Sequence, residues 1–145
     1  GLAYRLGSRK TACFDFASKK QSIVTRSSTD AEIYVIDKGC HDIEWLRQLM
    51  IFLRCPQKAP TVIHEDNEGF IFLSKGESKY SNKSKHIQWR YYYALQSIAE
   101  GTAIPKYIHT DEQVADILTK FIESPKKYYY LRSLLMNCEN SKSGF

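Results

Sequence analysis

The sequence predicts an α+β domain in which a mixed sheet is covered by helices. Three observations carry that expectation. From Ser27 to Phe52 and just beyond, Ile33, Ile36, Cys40, Ile43, Leu46, Met50 and Leu53 recur at steps of three and four, the spacing of one apolar helix face. Thr11 to Ala17 alternates, with Ala12, Phe14 and Phe16 on one side and Cys13 and Asp15 on the other, as a strand does. A β-branched run opens at Thr61, after the Pro56 and Pro60 break, and finishes on a carboxylate, Asp66.

Taken in order, Leu2–Leu6 and Thr11–Ala17 read as an antiparallel hairpin around a polar turn. Residues 18–22 are polar and 23–25 briefly apolar. The long helix follows, with Thr29 as its N-cap and Glu32 three residues on completing a capping-box pattern. Thr61–Asp66 reads as a strand, Asn67–Ser74 as a short helix and Lys75–Ser84 as a polar loop. Lys85–Glu100 is the second long helix, with Ile87, Tyr91, Ala94, Leu95 and Ile98 as its apolar face and Gly101 as its stop. Thr102–His109 is a strand whose Pro105 argues for an edge position or a bulge. Thr110–Gln113 repeats the capping-box pattern and opens a helix through Phe121. A last helix starts at Ser124-Pro125 and runs to about Met136.

The 145 residues suit one domain, residues 1–136, followed by a polar tail over 137–145. No run approaches the roughly 18 consecutive apolar residues a membrane helix needs. The first residue is Gly1, not methionine, and it leads straight into strand-like sequence, so the chain reads as a piece of something longer. Four scattered cysteines and four scattered histidines show no zinc-ligand spacing. The cysteines are read as reduced, Cys40 as a buried free thiol, and the compartment as intracellular. Net charge is +5, concentrated in Lys75, Lys79, Lys83, Lys85 and Arg90 and again in Lys126, Lys127 and Arg132. Cations interleaved with tyrosines suit a polyanion, although the charge pattern alone favours plain solvated surface.

Three carboxylates stand at element ends: Glu32, Asp66 and Asp116. Two readings of them stay open on pattern alone. They are separate surface acids, serving as cap, turn residue and helix-start acid. Otherwise they converge on one divalent-metal site, because a phosphodiester is cut when cations stabilise both the attacking and the departing oxygen.

Several short motifs then recur in a fixed order: Ser-Lys-Lys-Gln (18–21), Ser-Ser-Thr-Asp-Ala-Glu (27–32), Trp45-Leu46-Arg47, Glu65-Asp66-Asn67, Lys85-His86-Ile87 and the run from Thr110 to Lys120. From about Gly1 to Arg132 the chain resembles the ribonuclease H domain at the end of copia-type LTR retrotransposon polyproteins. The resemblance implies a ribonuclease H-like fold. It also implies cleavage of the RNA strand of RNA–DNA hybrids during reverse transcription, with two magnesium ions or manganese in their place. By position, Glu32, Asp66 and Asp116 match that family's catalytic and metal-ligating acids. Asn67 would lie beside the hybrid, and Lys19, Lys20, Lys85 and Arg90 would meet phosphates. The implied partners are the hybrid and the reverse transcriptase portion of the same polyprotein.

The resemblance also has gaps. The family's first catalytic Asp lies on a central strand upstream of the position of Gly1, so the expected domain is N-terminally incomplete, with three of its acids. Asp15 falls in a different motif position and reads as an exposed strand acid. Gln88 stands where the family often has an acid, and His109 where it often has a proline; His109 reads as polar surface. The alternative function is a non-catalytic nucleic-acid-binding remnant of a polyprotein. Another nuclease or integrase on the same fold is a third reading.

Overall fold

The computed structural model describes residues 1–7, 11–18, 28–75 and 85–137, with backbone alone at 28–30, 69, 72, 73 and 85–87. The chain is α+β and divides into two compact units, Ile23–Ile108 and Gly1–Ser22 with His109–Phe145.

In the unit formed by Ile23–Ile108, helix α1 (Ser28–Phe52) supplies the centre of the core. Ile33, Ile36 and Cys40 are at most 2% exposed and pack with Phe70, Tyr91 and Ala94. The apolar stripe fades along the helix: Leu46 and Met50 are half-buried and Leu53, past its end, is exposed. The helix starts at Ser28, so Thr29 stands one residue inside it rather than at the cap. It stops in a Schellman motif: Arg54 N–H bonds Ile51 O at 2.9 Å, Cys55 N–H bonds Met50 O at 2.8 Å, and Arg54 takes φ 60°. Arg47 then ties down the proline segment, donating to Gln57 O, Ala59 O and Thr61 Oγ1.

Strand β3 (Thr61–Glu65) pairs in parallel with β4 (Ala103–Tyr107), Ile63 opposite Pro105. Between them come α2 (Glu68–Ser74) and α3 (Lys85–Ala99). On α3, Tyr91 and Ala94 are buried and Leu95 and Ile98 half-buried, the expected face as far as its side chains are described. Gly101, at φ 72°, ends α3 in a second Schellman motif, with Gly101 N–H on Ile98 O and Thr102 N–H on Ser97 O, both at 3.0 Å.

In the other unit, β1 (Leu2–Arg5) and β2 (Cys13–Ala17) form the expected antiparallel hairpin, Leu2 opposite Ala17. Neither face of β2 is buried; Phe14 and Phe16 are exposed. Helix α4 (Pro125–Met136) has Ser124 as N-cap, Pro125 in its first turn and Asn137 in the left-handed region as its stop.

Two further expectations need correction. The single mixed sheet is two separate two-stranded ladders, because among the described residues no strand bridges the hairpin to the β3–β4 pair. The helix expected from Thr110 to Phe121 is two 3-10 segments, Thr110–Glu112 and Val114–Leu118. Gln113 is extended (φ −73°, ψ 97°) and interrupts the helix, and the cap is His109, not Thr110. The polar loop at 76–84 and the tail from 138 lie outside the described residues, as do the polar and apolar runs at 19–25.

Candidate carboxylate site

Glu32 lies near the start of α1 and is half-buried; Asp66 is half-buried directly after β3. A third acid, in the same Glu65-Asp66-Asn67 motif, was not among the expected site residues. Glu65 is the last residue of β3 and only 4% exposed. Its Oε1 accepts the Asn67 N–H at 2.9 Å, and its carbonyl accepts the Ile108 N–H at 3.0 Å. Burial pushes its carboxyl up to about 7, with the Glu32 and Asp66 charges adding to the rise. Three acids of one unit therefore share one electrostatic neighbourhood.

A signal for Glu65 was present in the strand period. Thr61, Ile63 and Glu65 alternate onto one face, and an acid in register with Ile63 is set for burial. Asp66, one residue later, is the acid on which the β-branched run ends and the one that matches the family's position.

Asp116 belongs to the other unit. It lies in the Val114–Leu118 segment at 6% exposure, and Lys120 Nζ sits 2.8 Å from its Oδ1. Glu32 and Asp66 thus both act electrostatically on Glu65, and Asp116 has Lys120 as its cation partner.

The oxygen donors are of the type a hard divalent cation takes. Among the described residues, however, no group of three or more His, Cys, Asp or Glu side chains is arranged to hold a metal ion. These acids do not by themselves form a metal site.

Of the residues expected at phosphates, Lys19 and Lys20 lie outside the described residues, and Lys85 is described only as the first backbone position of α3. Asn67 is half-buried and gives its N–H to Glu65. Arg90 is engaged inside the unit: its Nη1 pairs with Asp37 Oδ2, and its guanidinium lies 4.4 Å above the Tyr34 ring. Asp37, on α1, is 3% exposed, so this pair joins α1 to α3 and neutralises a buried charge.

Asp15 is exposed and its Oδ1 accepts the Phe16 N–H. His109 is exposed; its Nδ1 accepts the Asp111 N–H as the cap of a 3-10 segment. Both are surface residues, as read. Cys40 is a free, buried thiol, pushed up to about 11 by burial and so inert as a nucleophile at neutral pH.

The sequence is 31% identical, over 105 residues, to the retrovirus-related Pol polyprotein from transposon RE2 of Arabidopsis thaliana, a match covering 72% of this chain and 7% of that protein. The polyprotein from transposon RE1 of the same plant matches equally, at 31% over 105 residues. That from transposon TNT 1-94 of Nicotiana tabacum is 32% identical over 109 residues, 75% of this chain and 8% of the relative. The homologues are retrotransposon Pol polyproteins. This chain spans under a tenth of the length of each, so the whole proteins' properties are not transferred with the match. No family model matches the sequence, and no solved structure matches it.

Proposed function

We propose that this chain acts in a ribonuclease H-type domain of a retrotransposon Pol polyprotein, hydrolysing the RNA strand of RNA–DNA hybrids during reverse transcription. The observation that carries this reading is the influence of the Glu32 and Asp66 charges on the buried Glu65 of the same unit. These are two of the acids the ordered motifs mark, contributed by a helix start and a strand end. Such a domain has a ribonuclease H-like fold, works inside the cell and takes an RNA–DNA hybrid and its own reverse transcriptase as partners.

The reading requires magnesium, or manganese in its place. The described acids do not assemble an ion site alone, so the parts of Glu32, Asp66 and Asp116 are a matter for substitution. Asn67 and the lysines at 19, 20 and 85 are proposed to meet the hybrid. Contacts to phosphate would supply affinity and register without sequence preference.

A second reading is favoured by one observation, the absence of a three-donor grouping among the described residues. On it, the chain is a nucleic-acid-binding remnant without hydrolytic activity.

One assay separates the two. A labelled RNA–DNA hybrid is incubated with magnesium or manganese and with the chain as it stands, or extended by the residues encoded immediately upstream. Metal-dependent cleavage, lost in Glu32→Gln and in Asp66→Asn with hybrid affinity kept, is the expected result. Cleavage unaffected by both substitutions overturns the site. Salt-sensitive binding without cleavage by either folded form favours the remnant.

A further inference from the structure

Helix α4 has one face with no role in the reading above. Its twelve residues, Pro125–Met136, contain no acid. At 100° per residue, Leu131 marks the inner side, and it is fully buried. Lys127, Leu134 and Leu135 flank it and are half-buried. The opposite side is centred on Lys126, Tyr129 and Ser133, with Tyr130 and Arg132 at its margins. Tyr129 is 53% exposed and Tyr130 42%.

The cations on this helix divide into two kinds. Lys127 is spent on Asp111, 2.6 Å away. Lys126 and Arg132 are exposed, and among the described residues neither takes part in an ion pair. They stand three residues before and three after Tyr129, so at 1.5 Å rise per residue they bracket its ring over about 9 Å of helix. An exposed ring between two uncommitted cations, on a helix without acids, complements a chain that alternates anionic groups with flat, stackable ones.

We infer that the exposed face of α4 binds single-stranded nucleic acid, with Lys126 and Arg132 on phosphates and the Tyr129 ring stacked on a base. A single strand is the occupant because stacking on a side chain requires a base free of its neighbours, which a duplex or hybrid does not offer. The surface belongs to a different unit from Glu32 and Asp66, and the inference does not depend on hydrolysis.

The test is binding of the full chain to a fluorescent oligothymidylate of about 20 nucleotides, followed by anisotropy in EDTA across a salt series. Tyr129→Ala is expected to weaken binding roughly tenfold, the loss of one stacked base, and Tyr129→Phe to restore it. Lys126→Gln and Arg132→Gln are each expected to flatten the salt dependence by about 0.7 in logarithmic slope. Heparin, a polyanion without bases, is expected to respond to the two cation substitutions but not to Tyr129→Ala. Oligomer affinity indifferent to Tyr129→Ala overturns the inference, as does equal loss of heparin binding. Tighter binding of polyglutamate than of the oligomer would mark the face as a protein contact and overturn it too. All three positions are exposed, so unchanged thermal unfolding confirms that each variant is folded. The assay uses neither hybrid nor divalent ion, so its outcome and that of the cleavage assay are independent.

Discussion

Glu65 and Asn67 are joined by a hydrogen bond that spans Asp66: the Glu65 carboxylate accepts the Asn67 N–H at 2.9 Å. The Glu65 carbonyl is meanwhile held by the Ile108 N–H, which extends the contact between β3 and β4 by one residue. Asp66 therefore lies in a turn fixed on both sides, and the residue that fixes it is itself a buried acid. Ile71 N–H reaches the Asn67 carbonyl at 3.4 Å, so the same turn also leads into α2.

Burial of Glu65 should make stability depend on pH in a direction opposite to that of most paired acids. Its carboxyl is raised from 4.5 to about 7, so the folded state holds the proton more tightly than the unfolded state. The resulting stabilisation is complete below about pH 4.5 and is lost as pH rises through about 7. Its ceiling is about 3 kcal/mol at 1.36 kcal/mol per pKa unit. Urea unfolding in EDTA across this window should show the decline. Glu65→Gln keeps an acceptor for Asn67 and removes the charge, so its profile should lack this decline and it should be the more stable protein above pH 7. A parent profile that rises over the same window would contradict the buried placement of Glu65.

The Arg90–Asp37 pair yields a second expectation. Removing the guanidinium leaves a carboxylate that is 3% exposed without its main partner. Breaking a fully buried pair costs about 3–5 kcal/mol; the Arg90 side chain is 34% exposed, so about 2 kcal/mol is expected for Arg90→Gln. Asp37→Asn should cost less, because it leaves no unpaired charge inside. Equal loss in the two variants, measured by denaturant unfolding, would mean the pair acts through packing alone.

How far these features could be read beforehand depended on whether they were local. The face of α1 was legible because Ile33, Ile36 and Cys40 follow one period, and Gly101 because a left-handed stop selects glycine. Arg54 performs the same stop at φ 60° and left no trace, since nothing in an arginine announces that conformation. Strand partners are set by tertiary contacts, so β3 and β4 were recognisable as strands while their separation from the hairpin was not. At Thr110 the capping-box pattern was genuine in composition but offset, because His109 supplies the cap and Gln113 breaks the continuation. Glu32 and Asp66 stood out as acids at element ends, whereas Glu65 required attention to which strand face each residue occupies.

The stop at Gly101 can be tested by itself. A Cβ placed there would meet nothing within 4 Å, so Gly101→Ala is limited by backbone conformation and not by crowding. At φ 72° the expected loss is about 1 kcal/mol. The reverse substitution at the other Schellman stop, Arg54→Gly, should gain a few tenths, or about 0.5 kcal/mol, since glycine's larger unfolded entropy offsets part of the relief. Thermal unfolding of the two variants should therefore move in opposite directions.

The grouping of Glu32 with Glu65 and Asp66 can be tested without any catalytic assay. After burial itself, the Glu32 charge is the largest influence raising the Glu65 carboxyl. Glu32→Gln removes that charge while keeping the shape of the side chain, so Glu65 should titrate below about 7. It should still titrate above 4.5, because burial, the larger cause, is untouched. Asp66→Asn should lower it by a smaller amount, since Asp66 contributes less. Carbon-13 chemical shifts of the Glu65 carboxyl, followed through pH in the metal-free protein, resolve the two effects. If Glu32→Gln leaves the Glu65 titration where it is, Glu32 is not a neighbour of the β3 terminus. The two acids would then not share a site, and the proposed hydrolytic centre would lose its geometric support whatever the motif order suggests.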